Sequence, residues 1–228
     1  DMRARIRKLR KQSLTCKPYT TPERAVLLTE FFENAASSQV STPVARAMAF
    51  AYLLKKKGIY INDGELIVGE RGPAPKATPT FPEICCHSLE DLEILDTRKK
   101  IPYKVDDQTK RIYKEKIIPF WKGKSIRDII FEKMSNKWKE AYEAGVFTEF
   151  LEQRAPGHTV LGDKIYRKGL LDLKKEIKRN VQNLNLRKDS AAHQKREELK
   201  AMEIAADALI ALAKRYSKAA RELAEKER

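Results

Sequence analysis

The stretch KREELKAMEIAADALIALAKRYSKAA, residues 195–220, predicts a long amphipathic helix. Its apolar side chains recur three and four residues apart, a spacing that places them on one face of a helix. The members of this stripe are Leu199, Met202, Ala206, Leu209, Ala213, Tyr216 and Ala220, and Leu223 continues it beyond the quoted stretch. Small side chains such as alanine let a neighbouring helix approach closely. We therefore predict one long helix over 195–228 that packs against another helix.

The rest of the chain is built mostly of shorter helical segments. Apolar periodicity and stop signals predict helices over 3–14, 22–36, 44–57, 89–95 and 164–184. A serine or threonine precedes four predicted helices as a candidate N-cap, namely Thr21, Ser88, Ser125 and Ser135. A further helix is expected to end at Pro119, because proline cannot continue a regular helix.

Residues 58–87 are predicted to form a hairpin followed by a proline-rich loop. In IYINDGELIVG, residues 59–69, two apolar runs flank an Asn-Asp-Gly turn signal. In PAPKATPTFPEI, residues 73–84, the prolines exclude a helix and a central strand, so an extended surface loop is expected. The fold class that follows is mainly α with a few short strands.

The composition argues against several function classes. The 228 residues carry a net charge of +15, but lysine and arginine are interspersed with acidic residues, so nucleic-acid binding has only the net charge in its favour. There is no run of about eighteen apolar residues and no apolar signal region, so we expect no membrane contact. Three cysteines without a signal peptide indicate reduced thiols and a cytoplasmic location.

Common catalytic motifs are missing from the sequence. There is no GxGxxG, phosphate-binding loop or GxSxG motif, and His87, His158 and His193 lack metal-binding spacing, so no metal site and no directly bound cofactor are expected. Cys85 with His87 could form a nucleophile and its base, but no activating feature is evident beside them. The alternative for the cysteines is a structural role as small buried side chains.

One segment, residues 145–163, has the character of a pocket loop. In TEFLEQRAPGHTVLGD, residues 148–163, a Pro-Gly break precedes His158, and phenylalanines stand before it. A neutral imidazole on such a turn can hydrogen-bond a substrate hydroxyl or transfer a proton near neutral pH. A histidine that only caps the loop is the structural alternative. The neighbouring Glu149, Glu152 and Arg154 are interpreted as ion-pairing residues.

Four long stretches of the sequence resemble one family. They are INDGELIVGERGPAPKATPTFPEICCHSLEDLEIL (61–95), IIPFWKGKSIRD (117–128), WKEAYEAGVFTEFLEQRAPGHTVLGDKIYRKGLLDLKKEI (138–177) and the 195–220 stretch. In this order they look like the N-terminal region of glycyl radical enzymes. The similar branch is the pyruvate formate-lyase-like one that includes glycerol and diol dehydratases and trans-4-hydroxyproline dehydratase, and the resemblance covers nearly the whole chain.

The resemblance implies a fold and a chemistry. The chain would be the N-terminal helical part of a ten-stranded α/β barrel. In the family, an iron–sulfur activase uses S-adenosylmethionine to install a glycyl radical, which passes to a cysteine. The thiyl radical then abstracts hydrogen from the substrate beside a glutamate base. By the same resemblance, His158 would hydrogen-bond the hydroxyl that leaves, and Phe150 would form an apolar wall of the substrate pocket.

The sequence also departs from the family's pattern. It contains no glycyl radical motif of the RVxGY type and no Cys-x-Glu pair, so no catalytic residue is assigned within this chain. The resemblance therefore implies an N-terminal portion, residues 1–228, of a dehydratase, lyase or formate acetyltransferase-like enzyme. Its partners would be the remainder of the barrel, the activase, a small-molecule substrate and a second subunit in a homodimer. A stand-alone helical interaction or regulatory module is the alternative.

Overall fold

The computed structural model describes residues 2–34, 39–65, 67–147 and 162–226. The chain divides into two compact units. The first unit comprises Asp1–Thr29 and Ala74–His158, and the second comprises Glu30–Pro73 and Thr159–Arg228. None of the described helices combines the length and the apolar character needed to cross a lipid bilayer.

The described residues are mostly helical, which confirms the predicted fold class. The helices are α1 Met2–Thr15, α2 Glu23–Glu33, α3 Thr42–Lys56, α4 Leu89–Thr97, α5 Asp107–Ile112, α6 Ile118–Trp121, α7 Ile126–Lys133, α8 Asn136–Glu143, α9 Leu170–Gln182 and α10 Ala192–Lys226. A π-helical turn, Tyr113–Ile117, joins α5 to α6, and a 3₁₀ turn, Gly162–Tyr166, precedes α9. The strands are β1 Tyr19–Thr21 and β2 Ala77–Pro79.

The second unit is built on the packing of α3 against α10. Val44, Ala47 and Ala201 form a buried cluster between these two helices, and Ala208 is also buried. Alanine at these positions allows the helices to approach closely, as the sequence predicted. On another side of α10, Lys174 of α9 contacts Asp207, with Nζ and Oδ1 2.5 Å apart.

The predicted apolar stripe of α10 is only partly correct. Ala206 and Tyr216 are buried, but Met202, Leu209 and Leu223 are exposed, with 53% of the Met202 surface accessible. The reason is that α3 packs against the side of α10 that carries Ala201 and Ala208. Periodicity predicts that a helix has an apolar face, but neighbouring elements decide which residues are covered.

Side chains of α10 also hold the segment that follows α3. Arg215 donates through Nη1 to the carbonyl oxygen of Leu54 at 2.6 Å and through Nη2 to that of Lys57 at 2.7 Å. These carbonyls lie at the C-terminal end of α3, where a cation is favourable. Tyr216 donates to the carbonyl oxygen of Glu70 at 3.2 Å. The chain between α3 and the proline-rich segment is therefore fixed by polar contacts.

For the hairpin predicted after α3, the turn is confirmed, but the described residues of its two arms form no strand. The Glu65 N–H donates to the carbonyl oxygen of Asn62 at 3.1 Å, and Gly64 has a φ of 77°. Residues 59–61 form no strand. The chain after the turn is instead held by a side chain, since Lys57 Nζ donates to the carbonyl oxygens of Glu70 and Arg71 just beyond the predicted hairpin.

The strands of the first unit lie elsewhere. β1 pairs in parallel with β2, with Tyr19 opposite Ala77, and the N–H of Thr20 donates to the carbonyl oxygen of Lys104 at 2.8 Å. The proline-rich segment therefore contributes a strand, and its prediction as a loop alone is wrong. Pro79 is tolerated because it ends the strand, where no further N–H is required.

The helix expected to end at Pro119 continues to Trp121. The π-helical turn before it provides the reason, since the N–H of Ile118 donates to the carbonyl oxygen of Tyr113, five residues back. A widened turn accommodates the missing N–H and the ring of proline better than a regular one. The extension places Trp121 in the interior of the first unit, where its Nε1–H donates to Thr29 Oγ1 at 2.9 Å.

Ala201→Leu is expected to lower the free energy of unfolding by about 1–3 kcal/mol, because a larger side chain does not fit between α3 and α10. Ala213→Leu makes the same chemical change on an exposed part of α10 and should alter stability by less than about 0.5 kcal/mol. Urea denaturation of both variants measures the difference. Equal effects would contradict the packing described here.

Candidate functional site

The two residues predicted to line the substrate pocket, Phe150 and His158, lie outside the described residues. They belong to the range 148–161 within the predicted pocket loop 145–163. The structure describes the chain on each side of that range. The assignment of both residues to substrate binding therefore stays a prediction, and the geometry below concerns how the segment begins and ends.

The segment begins at a well-defined helix end. At the C-terminus of α8, the N–H of Gly145 donates to the carbonyl oxygen of Tyr142, and the N–H of Val146 donates to that of Ala141, both at 2.9 Å. This pair of bonds is a Schellman motif, which requires a left-handed residue directly after the helix. Gly145 meets that requirement with a φ of 72°. The direction in which the chain leaves α8 is thereby fixed.

An aromatic cluster, defined here as Phe131, Trp138, Tyr142 and Phe147, follows the Schellman motif. The ring of Phe147 meets those of Trp138 and Tyr142 edge to face, with centroids 5.3 Å and 5.8 Å away. Tyr142 also contacts Phe131, with centroids 4.7 Å apart. Edge-to-face pairs gain from the opposite signs of ring edge and ring face. Phe147 is therefore held from two sides just before the range that carries Phe150.

The far side of the segment lies in the second unit. Gly162, with a φ of 55°, opens the 3₁₀ turn, and Asp163 in this turn forms an exposed ion pair with Arg167, the residue directly after it. Asp172 Oδ2 accepts a hydrogen bond from the N–H of Gly169 at 3.2 Å at the start of α9. A carboxylate here also interacts favourably with the positive end of the helix dipole. The return of the chain into α9 is thus determined by local polar contacts.

A small cavity in the first unit brings together Cys85 and His87, the pair considered as nucleophile and base. Its volume is about 180 Å³, and the other lining residues are Thr20, Thr78, Pro79, Thr80, Phe81, Ile84, Leu95 and Tyr103. No sequence signal pointed to the threonines and aromatics among them, because β1, β2 and α4 come together only in the folded chain. The structural interpretation is supported for Cys85, which is buried.

The neighbouring thiol, Cys86, is poorly suited to nucleophilic chemistry. Burial raises the pKa of Cys86 to about 11, and the carboxylates of Asp128 and Asp91 act in the same direction. A thiol with this pKa is almost fully protonated at neutral pH, and the protonated form is not the nucleophile. Among the described residues, no group of three or more histidine, cysteine, aspartate and glutamate side chains could hold a metal ion.

Comparison with known families identifies the class of protein. A family model described as pyruvate formate lyase-like matches residues 2–228. The chain belongs to the pyruvate formate lyase-like family. Trans-4-hydroxy-L-proline dehydratase of Clostridioides difficile is 50% identical over 223 residues, which make up 98% of this chain and 28% of that enzyme.

Solved structures agree with this membership. Hydroxyproline dehydratase from Clostridioides difficile, with trans-4-hydroxy-L-proline bound, matches with a TM-score of 0.92 and 49% identity over 98% of this chain. The B12-independent glycerol dehydratase from Clostridium butyricum matches with a TM-score of 0.86 and 28% identity over the same share. A glycyl radical enzyme from Archaeoglobus fulgidus matches with a TM-score of 0.82 and 28% identity, again over 98% of this chain.

The chain spans only 28 to 29% of the length of these solved structures. It therefore corresponds to an N-terminal part of a glycyl radical enzyme barrel, as the resemblance implied. The relatives are dehydratases and lyases, so the family is one of enzymes.

Alkylation of Cys86 by iodoacetamide is expected to be slow at pH 8 and to rise about tenfold per pH unit up to about pH 11, because only the thiolate reacts and its pKa is raised. Peptide mass spectrometry measures the rate, with N-acetylcysteine as an unburied reference thiol. A rate that stops rising near pH 9 would show that burial does not raise the pKa.

Proposed function

We propose that this chain is the N-terminal part of a glycyl radical dehydratase that removes water from a small hydroxylated substrate. The candidate substrate is trans-4-hydroxy-L-proline. The observation that carries the proposal is the 50% identity to trans-4-hydroxy-L-proline dehydratase across 98% of the chain, with a TM-score of 0.92 to the corresponding structure. Identity to the glycerol dehydratase is 28% over the same share of the chain.

Within the proposed enzyme, His158 and Phe150 form part of the substrate pocket. His158 hydrogen-bonds the hydroxyl that is lost and can deliver a proton to it, so that the group leaves as water rather than as hydroxide. Phe150 forms an apolar wall, which excludes water and strengthens the polar contacts made inside the pocket. The RAPGH stretch that carries His158 favours dehydration over formate acetyltransferase chemistry.

The remaining catalytic groups come from outside this chain. The radical cysteine, the glutamate base and the radical glycine belong to the rest of the polypeptide, and residues 1–228 alone are inactive. An iron–sulfur activase that uses S-adenosylmethionine installs the radical. The complete enzyme is a cytoplasmic homodimer that binds neither nucleic acids nor membranes.

The full-length protein from the native locus, activated anaerobically, is expected to convert trans-4-hydroxy-L-proline to a product lighter by one water. Glycerol and 1,2-propanediol, which carry hydroxyls on flexible chains, should react much more slowly. Mass spectrometry of the reaction mixtures makes the comparison. Turnover of a diol in preference to hydroxyproline would overturn the assigned substrate, and a native protein with the mass of this chain alone would overturn the enzyme assignment.

His158→Ala in the full-length enzyme is expected to lower turnover by about 10²-fold or more, because the leaving hydroxyl loses its hydrogen-bonding partner and proton donor. The matched control is His193→Ala, since His193 lies exposed in the first turn of α10. Both variants should keep the wild-type melting temperature. Unchanged turnover in His158→Ala would exclude His158 from the pocket.

A further inference from the structure

We propose that two copies of this chain meet through a reciprocal contact, in which the basic outer face of α1 on one copy packs against the acidic outer face of α4 on the other. The inference rests on the homodimer of the proposed function and adds the surfaces that form it. Both helices belong to the first unit. A two-fold axis therefore forms the same contact twice, which is the usual arrangement in a homodimer.

The outer face of α1 is basic and uncovered. Within α1, Leu9 and Gln12 are the residues that are partly covered, so they mark the side that faces the rest of the unit. The helical period places the opposite side about half a turn away. That side carries four exposed residues, Arg7, Arg10, Lys11 and Leu14. Leu14 is 75% exposed, so an apolar side chain lies in water beside three cations.

The charges of α1 disfavour the helix on its own. It contains six lysine and arginine residues and no acidic residue. Arg7 has a like charge four residues away on each side, at Arg3 and Lys11, and such pairs destabilise a helix. The helix dipole favours an anion in the first turn and a cation in the last, and α1 has neither. An anionic surface beside α1 would relieve this repulsion.

The outer face of α4 is the acidic counterpart. All charged residues of α4 are acidic. Leu92 is buried and marks the inner side, so the outer side carries the exposed residues Glu90, Glu93, Ile94 and Thr97. Glu93 contacts Lys110, with Oε2 and Nζ 2.5 Å apart. An exposed pair of this kind contributes little to stability, so Glu93 can exchange it for a cation of a second copy.

The two outer faces match in length, charge and apolar content. Each follows the spacing i, i+3, i+4 and i+7, starting at Arg7 in α1 and at Glu90 in α4. The cations of α1 can pair with Glu90 and Glu93. Leu14 and Ile94, which are 75% and 53% exposed, can cover each other. A single contact between the two helices thus satisfies both the charges and the apolar side chains.

Three observations favour a second copy over another anionic partner. Both faces are exposed in the whole chain, so neither covers the other within one copy. A phosphate surface would meet the cations of α1 but would leave Leu14 in water. The net charge of +15 on each copy opposes association in general. The contact therefore depends on these local faces and not on the total charge.

The test measures the dimer dissociation constant of the full-length protein by analytical ultracentrifugation. The double variant Arg7→Glu/Arg10→Glu makes both faces acidic, and Glu90→Lys/Glu93→Lys makes both basic. Each should weaken the homodimer by at least about tenfold, because like charges then face each other twice. All four side chains are exposed, so the melting temperatures should stay close to that of the wild type.

A matched control separates the local contact from a general effect of charge. Lys200→Glu/Lys214→Glu makes the same change of charge as the α1 variant, but on exposed positions of α10 in the second unit. It should not weaken the dimer, because general repulsion between basic chains decreases. An equal loss of affinity in the control and in the α1 variant would overturn the inference.

Mixing the two double variants gives the decisive measurement. In the mixed dimer, the acidic α1 of one variant faces the basic α4 of the other, and the unchanged α1 and α4 face each other at the second contact. The equimolar mixture should therefore dimerise as the wild type does, which also shows that both variants are folded. Absence of recovery would overturn the pairing of α1 with α4.

The outcomes also separate this inference from the proposed function. A wild-type dimer that neither double variant weakens would overturn the α1–α4 contact and leave the homodimer in place. A wild-type protein that stays monomeric would overturn both the contact and the homodimer. The proposed dehydration of hydroxyproline is decided separately by the turnover measurement.

Discussion

The first unit depends on the ion pair between Arg24 and Glu83. Nη1 donates to Oε2 at 3.0 Å, Nη2 and Oε1 lie 2.5 Å apart, and Nη1 also donates to the carbonyl oxygen of Thr80. A bidentate arginine–carboxylate contact restrains direction as well as distance. It joins α2 to the segment after β2, and that segment in turn accepts the backbone N–H groups of Ile126 and Arg127 at the start of α7.

Buried polar contacts complete this arrangement. Thr80 Oγ1 accepts the hydroxyl hydrogen of Tyr113 at 2.5 Å, and Thr29 Oγ1 accepts the Nε1–H of Trp121. Burial raises the pKa of Tyr113 above its usual range, so the hydroxyl remains a donor. A buried polar group left without its partner is costly, and these bonds therefore specify one packing of the π-helical turn and α6 against the rest of the unit.

The two units are stabilised by different kinds of contact, and the difference concerns the place where the predicted pocket loop begins. In the second unit, α3 and α10 approach through alanine, and Arg215 and Tyr216 fix the connecting chain. In the first, a well-ordered interior supports a hairpin of α7 and α8 that buries none of its own residues. The predicted pocket loop therefore begins at the end of a helix without a buried residue, and not in the interior of the first unit.

Helix caps, helix periodicity and the family could be predicted from the sequence alone, because they depend on neighbouring residues and on motifs that are continuous in sequence. The N-caps at Ser88 and Ser125 and the long helix α10 follow from hydrogen-bonding capacity and apolar period, and the motif series indicated the family. The tertiary structure decided which residues are covered by neighbouring elements and which segments pair as strands. Met202 and Leu209 are exposed because α3 packs against another side of α10, and β2 forms within a proline-rich segment because β1 offers it hydrogen bonds. Contacts between residues far apart in sequence leave no periodic signal, so only the folded chain reveals them.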